Sequence, residues 1–187
     1  MKGKVVLDLG TPWPFRKELK DYKKEFTGVH YFSLGYKTFE KSHCSSPHVD
    51  GDICQLPFKT ESADGIICKE VLEHVYNPFL AVQEMFRILK KGGKAFCTLP
   101  FVYPYHGSGL EKDFWRFSRD GIDYLFSPFK EVRVIPSGGY FYILQSFLPI
   151  PVNRILFNAY LMPMINCLDK MFIQEGRTSI WMVLAEK

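Results

Sequence analysis

The densest set of chemistry-bearing side chains lies between positions 103 and 117, where Tyr103, Tyr105, His106, Asp113, Trp115 and Arg116 stand close together. Aromatic walls interrupted by a few titratable groups are the usual lining of a small-molecule pocket. His106 is the group suited to take a proton from a hydroxyl or amine, because imidazole titrates near neutrality. The alternative is a hydrogen-bonded histidine that only shapes the loop. Asp113 and Arg116 could likewise do no more than pair with each other and pin it. A second imidazole, His74, follows Glu73 in the string VLEHV, and its role is open between catalysis and structure.

Two other segments invite a ligand. Val5-Val6-Leu7-Asp8-Leu9-Gly10 is an apolar run closed by a glycine, which lets a ligand approach the backbone where a side chain would collide. A plain strand-end turn is the simpler alternative, and Asp8 could brace that turn. Asp52-Ile53-Cys54-Gln55-Leu56-Pro57-Phe58 pairs a carboxylate with an apolar neighbour, either to hold a flat heterocycle or to cap its own loop. The five cysteines show no CxxC pair and no zinc spacing, so no metal site is expected. They read as small apolar residues of a cytoplasmic protein in a reducing compartment.

The elements that must position these groups alternate along the chain. Strands are predicted at Lys4–Leu9, Val29–Leu34, near His48–Asp50, and at Gly65–Cys68, Lys94–Leu99, Lys130–Ile135 and Thr178–Ala185. Phe15, Leu19, Tyr22 and Phe26 recur at helical spacing, stopped by Thr27-Gly28. A further helix opens with Asn77 as cap and Pro78 in its first turn, and Leu80, Val82, Met85, Phe86 and Leu89 supply its inner face. Lys90 and Lys91 suit its negative end, and Gly92-Gly93 close it. A short helix is expected near Ser118–Phe126. Strand, helix and strand in this order imply parallel βαβ units, with ligands beyond the strand ends at Leu9, Leu34, Asp50, Cys68 and Leu99.

Five pieces then occur in a telling order: VVLDLG, DICQLPF, ADGIIC followed by VLEHV, EMFRILKKGG, and YPYHG with DFWRF. On them the chain resembles the class I S-adenosylmethionine-dependent methyltransferases of the small-molecule type, over almost its whole length. The resemblance implies an α/β, Rossmann-like, seven-stranded, mostly parallel sheet with the last strand antiparallel and helices on both faces. It implies S-adenosyl-L-methionine as cofactor and a small-molecule acceptor, with a glycan or lipid-linked intermediate as the sharper expectation. It assigns Asp8, Gly10, Thr11, Gly35, Asp52, Ile53, Cys68 and Lys69 to the cofactor. Tyr103, Tyr105, Asp113, Trp115 and Arg116 fall to the acceptor, and His74 and His106 to catalysis. In that family the methyl group moves by in-line displacement, so the protein supplies proximity and orientation rather than a nucleophile.

The sequence departs from the family pattern in three places. Thr11-Pro12-Trp13-Pro14 stands where further glycines are usual, which removes backbone donors and adds bulk. Leu34-Gly35-Tyr36 stands where an acid normally holds the ribose. The first strand begins almost at Met1, where the family usually has a covering helix. This implies either a shortened version of the fold or an open cleft. A catalytically inactive relative that keeps the fold as a binding or scaffold module is therefore the second expectation.

One domain over 1–187 is expected, with a substrate-side loop and short helix at 101–128 and an apolar helical insertion at 140–175. The stretch Tyr140–Ile165 is too interrupted by Gln145, Pro149, Pro151, Asn153, Arg154 and Asn158 to give the ~20 clean apolar residues of a membrane span. Tyr140–Phe172 is rich in aromatic and aliphatic side chains, with only a narrow polar face. It could cover the sheet, form a homodimer surface, or lie peripherally on a membrane. The net charge of +4 is well mixed, and nucleic acid is not an expected partner.

Overall fold

The computed structural model describes residues 3–10, 28–35, 49–108, 111–148, 161–172 and 177–187. Buried apolar runs need neighbours on both edges and covers on both faces, and here the earliest run becomes the interior strand β1, Val5–Leu9. β2 is His30–Gly35, β3 Val49–Asp50 and β4 Ala63–Lys69. Helix α1, Pro78–Ile88, leads to β5, Leu89–Pro100, and α2, Arg119–Leu125, leads to β6, Glu131–Ser137. Helices α3, Tyr140–Ser146, and α4, Leu161–Phe172, pack together before β7, Ile180–Glu186.

Among the described residues these strands form one seven-stranded sheet in the order β3-β2-β1-β4-β5-β7-β6. The pairs from β3 to β5 are parallel, and β7 runs antiparallel to both β5 and β6. The predicted fold is the observed one. The chain leaves β1 for β2 and β3 on one side and returns at β4 on the other. That reversal opens the crevice where ligands of such sheets bind.

Two details of α1 differ from the sequence expectation. Leu80 is 41% exposed, because the buried stripe runs through Pro78, Ala81, Val82, Met85 and Ile88 instead. The helix also stops at Ile88, before the lysines and glycines. Leu89 already pairs with Ala63, and Lys94 pairs with Gly65, so Lys90–Gly93 bulge out of the ladder. Gly92 has φ +73°, and a Cβ on Gly93 would stand 2.8 Å from the Lys90 carbonyl oxygen. Lys90 reaches Asp64 at 2.8 Å, and the cation at the helix end is Lys187, whose Nζ donates to the Leu89 carbonyl at 2.8 Å.

The predicted helix over Phe15–Phe26 and the loop Thr11–Pro14 lie outside the described residues, as do Tyr36 and the segment 149–160. Asp169, on α4, is turned away from solvent. It is 4% exposed and accepts the N–H groups of Gly139, Phe141 and Tyr142 at 3.2, 2.8 and 3.1 Å, capping α3. Tyr140, Leu144, Phe147 and Met164 remain exposed. No helix among the described residues is long and apolar enough to cross a membrane.

Candidate active site at the carboxyl edge of the sheet

The edge is organised around the turn after β1. Gly10 has φ +75°, a conformation that L side chains rarely adopt, and its N–H donates to the Leu34 carbonyl at 2.8 Å. A Cβ built on it would meet both methyl groups of Val71 at 3.0 Å. Glycine is therefore demanded by conformation and by close approach together. Asp8 is fully buried and accepts the hydroxyl of Tyr31, so it ties β1 to β2. Gly35 ends β2 opposite Asp50.

The loop after β3 closes on itself. Asp52 Oδ1 accepts the Cys54 N–H at 2.8 Å and its carbonyl accepts the Gln55 N–H at 3.0 Å, the self-capping that the sequence left as an alternative. Ile53 is buried. Glu84 of α1 accepts the Leu56 N–H at 2.8 Å and holds Arg87, which in turn donates to the Leu56 and Phe58 carbonyls. The loop is thus bolted to the helix that follows.

β4 delivers the next segment. Cys68 is fully buried in register with Cys97, and that pairing together with burial pushes its thiol well above the ordinary range. Its side chain is enclosed in the core, so its backbone alone is left to meet a ligand. Glu70 then takes φ +53° and donates its N–H to Thr98 Oγ1 at 3.1 Å. A short 3-10 turn, Leu72–His74, carries Glu73, which is 0% exposed and has no hydrogen-bond partner on either carboxylate oxygen. Burial, reinforced by the charge of Glu70, pushes its carboxyl up to about 8.

The loop after β5 wraps around this turn. The Glu73 carbonyl accepts the N–H groups of Phe114 and Trp115 at 2.8 and 3.2 Å, and the Trp115 indole donates to the Val75 carbonyl at 2.8 Å. Arg116 donates to both oxygens of Asp113 and to the carbonyls of Tyr103 and Pro104. That guanidinium holds the Asp113 carboxyl down at about 2. The pinning pair is formed, and Trp115 pins the loop as well.

His106 and His74 are brought face to face. Their Nε2 atoms are 3.2 Å apart and their rings meet edge to face, with Tyr103 edge-on to His106. His74 Nδ1 lies 2.6 Å from the Lys112 carbonyl oxygen. His106 Nδ1 lies 3.2 Å from the Pro104 carbonyl oxygen and 3.3 Å from Asp113 Oδ2. Tyr105 is 73% exposed and stands apart from this cluster. Thr11 lies outside the described residues. Two features of this turn go beyond what VLEHV announces, the sealed Glu73 carboxylate and the Val71 methyl groups over Gly10. An acid set among Val71, Leu72 and Val75 was the signal for the first.

Residues 7–97 match the family described as Methyltransferase domain. The chloroplastic 2-methyl-6-phytyl-1,4-hydroquinone methyltransferase of Arabidopsis thaliana is 41% identical over 56 residues, 30% of this chain and 16% of that protein. The chain thus matches well under two thirds of that relative's length. An uncharacterized protein of Methanocaldococcus jannaschii is 26% identical over 185 residues, 94% of this chain and 76% of that one. Phosphoethanolamine N-methyltransferase 2 of Haemonchus contortus, solved in complex with S-adenosyl-L-methionine, shares the fold. Its TM-score is 0.63 at 16% identity, over 100% of this chain and 49% of that one.

Proposed function

We propose that this chain is a class I S-adenosylmethionine-dependent methyltransferase that transfers a methyl group to a small-molecule acceptor held against the loop 103–117. The observation that carries the reading is the cradle at Gly10. A positive φ and the Val71 methyl groups 3.0 Å from where a β-carbon would stand together demand glycine at the turn that ends β1. The cradle opens at the strand-order reversal between β1 and β4.

When bound, S-adenosylmethionine supplies an electrophilic methyl group on a sulfonium. The chain's own residues hold and orient. The turn at Gly10 and the brace of Asp8 receive the amino-acid portion, and the β2 end at Gly35 faces the sugar. Asp52 and the Ile53 backbone take the base, and the β4 end at Cys68 and Lys69 lines the floor. These groups fit a mode of binding led by the backbone at Gly10, Gly35 and Ile53, with Asp8 and Asp52 beside it.

On the acceptor side, Asp113 and the Pro104 carbonyl accept from His106 Nδ1 and so leave its Nε2 basic. His106 takes the proton that the acceptor's oxygen or nitrogen sheds as it is methylated. Tyr103 walls the same space, while Arg116, Asp113 and Trp115 keep the loop in place. The exposed apolar face of α3 and α4 extends the reading to acceptors with an apolar tail.

A second reading, a non-catalytic binding module, is favoured by the internal use of Asp52 and of the Asp113–Arg116 pair. One experiment separates the two. Titration with S-adenosylhomocysteine by calorimetry, and incubation with methyl-labelled cofactor and a small-molecule extract, should give micromolar binding and a labelled non-protein product. Micromolar binding with a labelled product supports methyl transfer and refutes the module; no detectable binding leaves the module.

A further inference from the structure

We propose that Glu73, His74 and His106 hold one divalent transition-metal ion of the zinc type, a site that goes beyond methyl transfer and competes with it for His106 Nε2, so that the ion-bound protein would lack the base named above. The side chains come from the turn after β4 and the loop after β5, and their ligand atoms all lie within 4.8 Å of one another.

The tautomers carry the argument. A carbonyl oxygen can only accept, so His74 Nδ1, 2.6 Å from the Lys112 carbonyl, must bear its proton. His106 Nδ1 faces the Pro104 carbonyl and the Asp113 carboxylate, acceptors again, and must bear its proton too. In the neutral rings both Nε2 atoms are then bare lone pairs, and they point at each other across 3.2 Å. Two lone pairs at that distance repel unless a cation stands between them. Oxygen acceptors on the far nitrogen are also what orient metal-bound histidines elsewhere.

The distances suit a metal. With bonds of ~2.0–2.1 Å to each Nε2, a separation of 3.2 Å corresponds to an N–metal–N angle of about 100°, close to tetrahedral. The third ligand is the Glu73 carboxylate, fully buried, without a hydrogen-bond partner, and 3.9 Å from His74 Nε2. Ligands sharing a tetrahedral zinc stand about 3.3 Å apart, so the carboxylate moves inward when the ion binds. A neutralising cation is what an unpartnered buried carboxylate calls for. Two histidines and one carboxylate leave a coordination position open, the arrangement of catalytic rather than structural zinc. An oxygen of the acceptor or a water would fill it. No cysteine takes part, which is why a search for zinc spacing along the chain finds nothing.

The test uses the full chain without an affinity tag, stripped with EDTA, with neither cofactor nor acceptor present. Calorimetry with ZnCl2 should show one equivalent bound, and Co2+ should give the visible bands of a four- or five-coordinate ion. H106A and H74A should each weaken binding at least about tenfold. E73Q should weaken it too, with the far-UV spectrum unchanged. H30A, which removes an exposed histidine on β2, should bind as the parent does. Absence of binding would mean that the two rings share a proton instead. That result, binding that survives H106A, or an equal loss in H30A would overturn the proposal. Because the readout is the ion itself, failure here leaves methyl transfer untouched, and failure of methyl transfer leaves the ion.

Discussion

Arg116 grips Asp113 through two N–H···O bonds of 2.5 and 2.7 Å, one to each carboxylate oxygen. The carboxylate is 1% exposed, so the pair is held away from solvent screening. The same guanidinium donates to the Tyr103 and Pro104 carbonyls, so one side chain sets the shape of the loop that presents His106.

Arg116→Lys keeps the charge and loses the fork. Acceptor kcat/KM should fall at least about tenfold, equivalent to roughly 1.4 kcal/mol, while affinity for S-adenosylhomocysteine changes less than about twofold. Steady-state kinetics beside calorimetry checks this. An equal loss in both would place Arg116 in the cofactor cradle instead.

Gly10→Ala should cost about 1–2 kcal/mol from the positive φ alone, with a further penalty from the Val71 methyl groups 3.0 Å away. The double variant with Val71→Ala should recover the steric part of the loss and not the backbone part. Thermal melts of the single and double variants, with and without S-adenosylhomocysteine, separate the two.

Gly139 is fitted against Asp169, whose Oδ1 would lie 2.5 Å from a β-carbon there. Both Gly139→Ala and Asp169→Ala should release α3 from α4, the latter by about 1–2 kcal/mol or more for a lost cap. Hydrogen exchange at the Phe141 and Tyr142 amides should speed up, while amides of β5 and β7 keep their protection. Uniform loosening of all of them would show that the hairpin and the sheet open together.

Glu84 supplies a dependence on acid. Its hydrogen bonds to Arg87 depress its carboxyl in the folded state. The stability it contributes is therefore complete above its unfolded pKa near ~4.3 and is lost as pH falls through the lower folded value. Both partners are partly exposed, with side chains at 21% and 33%, so the contribution is modest, about 1 kcal/mol. Glu84→Gln should melt earlier than the parent at pH 7 and with it at pH 2–3. A gap that persists in acid would trace instead to the Leu56 N–H contact.

Much of this architecture is legible in one dimension because its cause is local. A strand buried on both faces must be continuously apolar, and VVLDL and WMVLA announce themselves; Asn77-Pro78 marks a helix start because only certain residues serve there. The end of that helix has a cause that is not local. Lys90-Lys91-Gly92-Gly93 looks like a helix stop, but pairing of Leu89 with Ala63 in a neighbouring strand outweighs a local preference.

The order of motifs along the chain was enough to anticipate the seven-stranded sheet. It could not bring His74 and His106 together. They are 32 positions apart, and their 3.2 Å contact exists because the Glu73 carbonyl captures the N–H groups of Phe114 and Trp115 and draws one loop over the other. Nor could it tell that Glu73 is sealed from water without a partner, since burial belongs to the packed surroundings and not to the residue. Periodicity records what each residue does with its near neighbours; meetings between distant loops are decided only when the sheet sets their spacing.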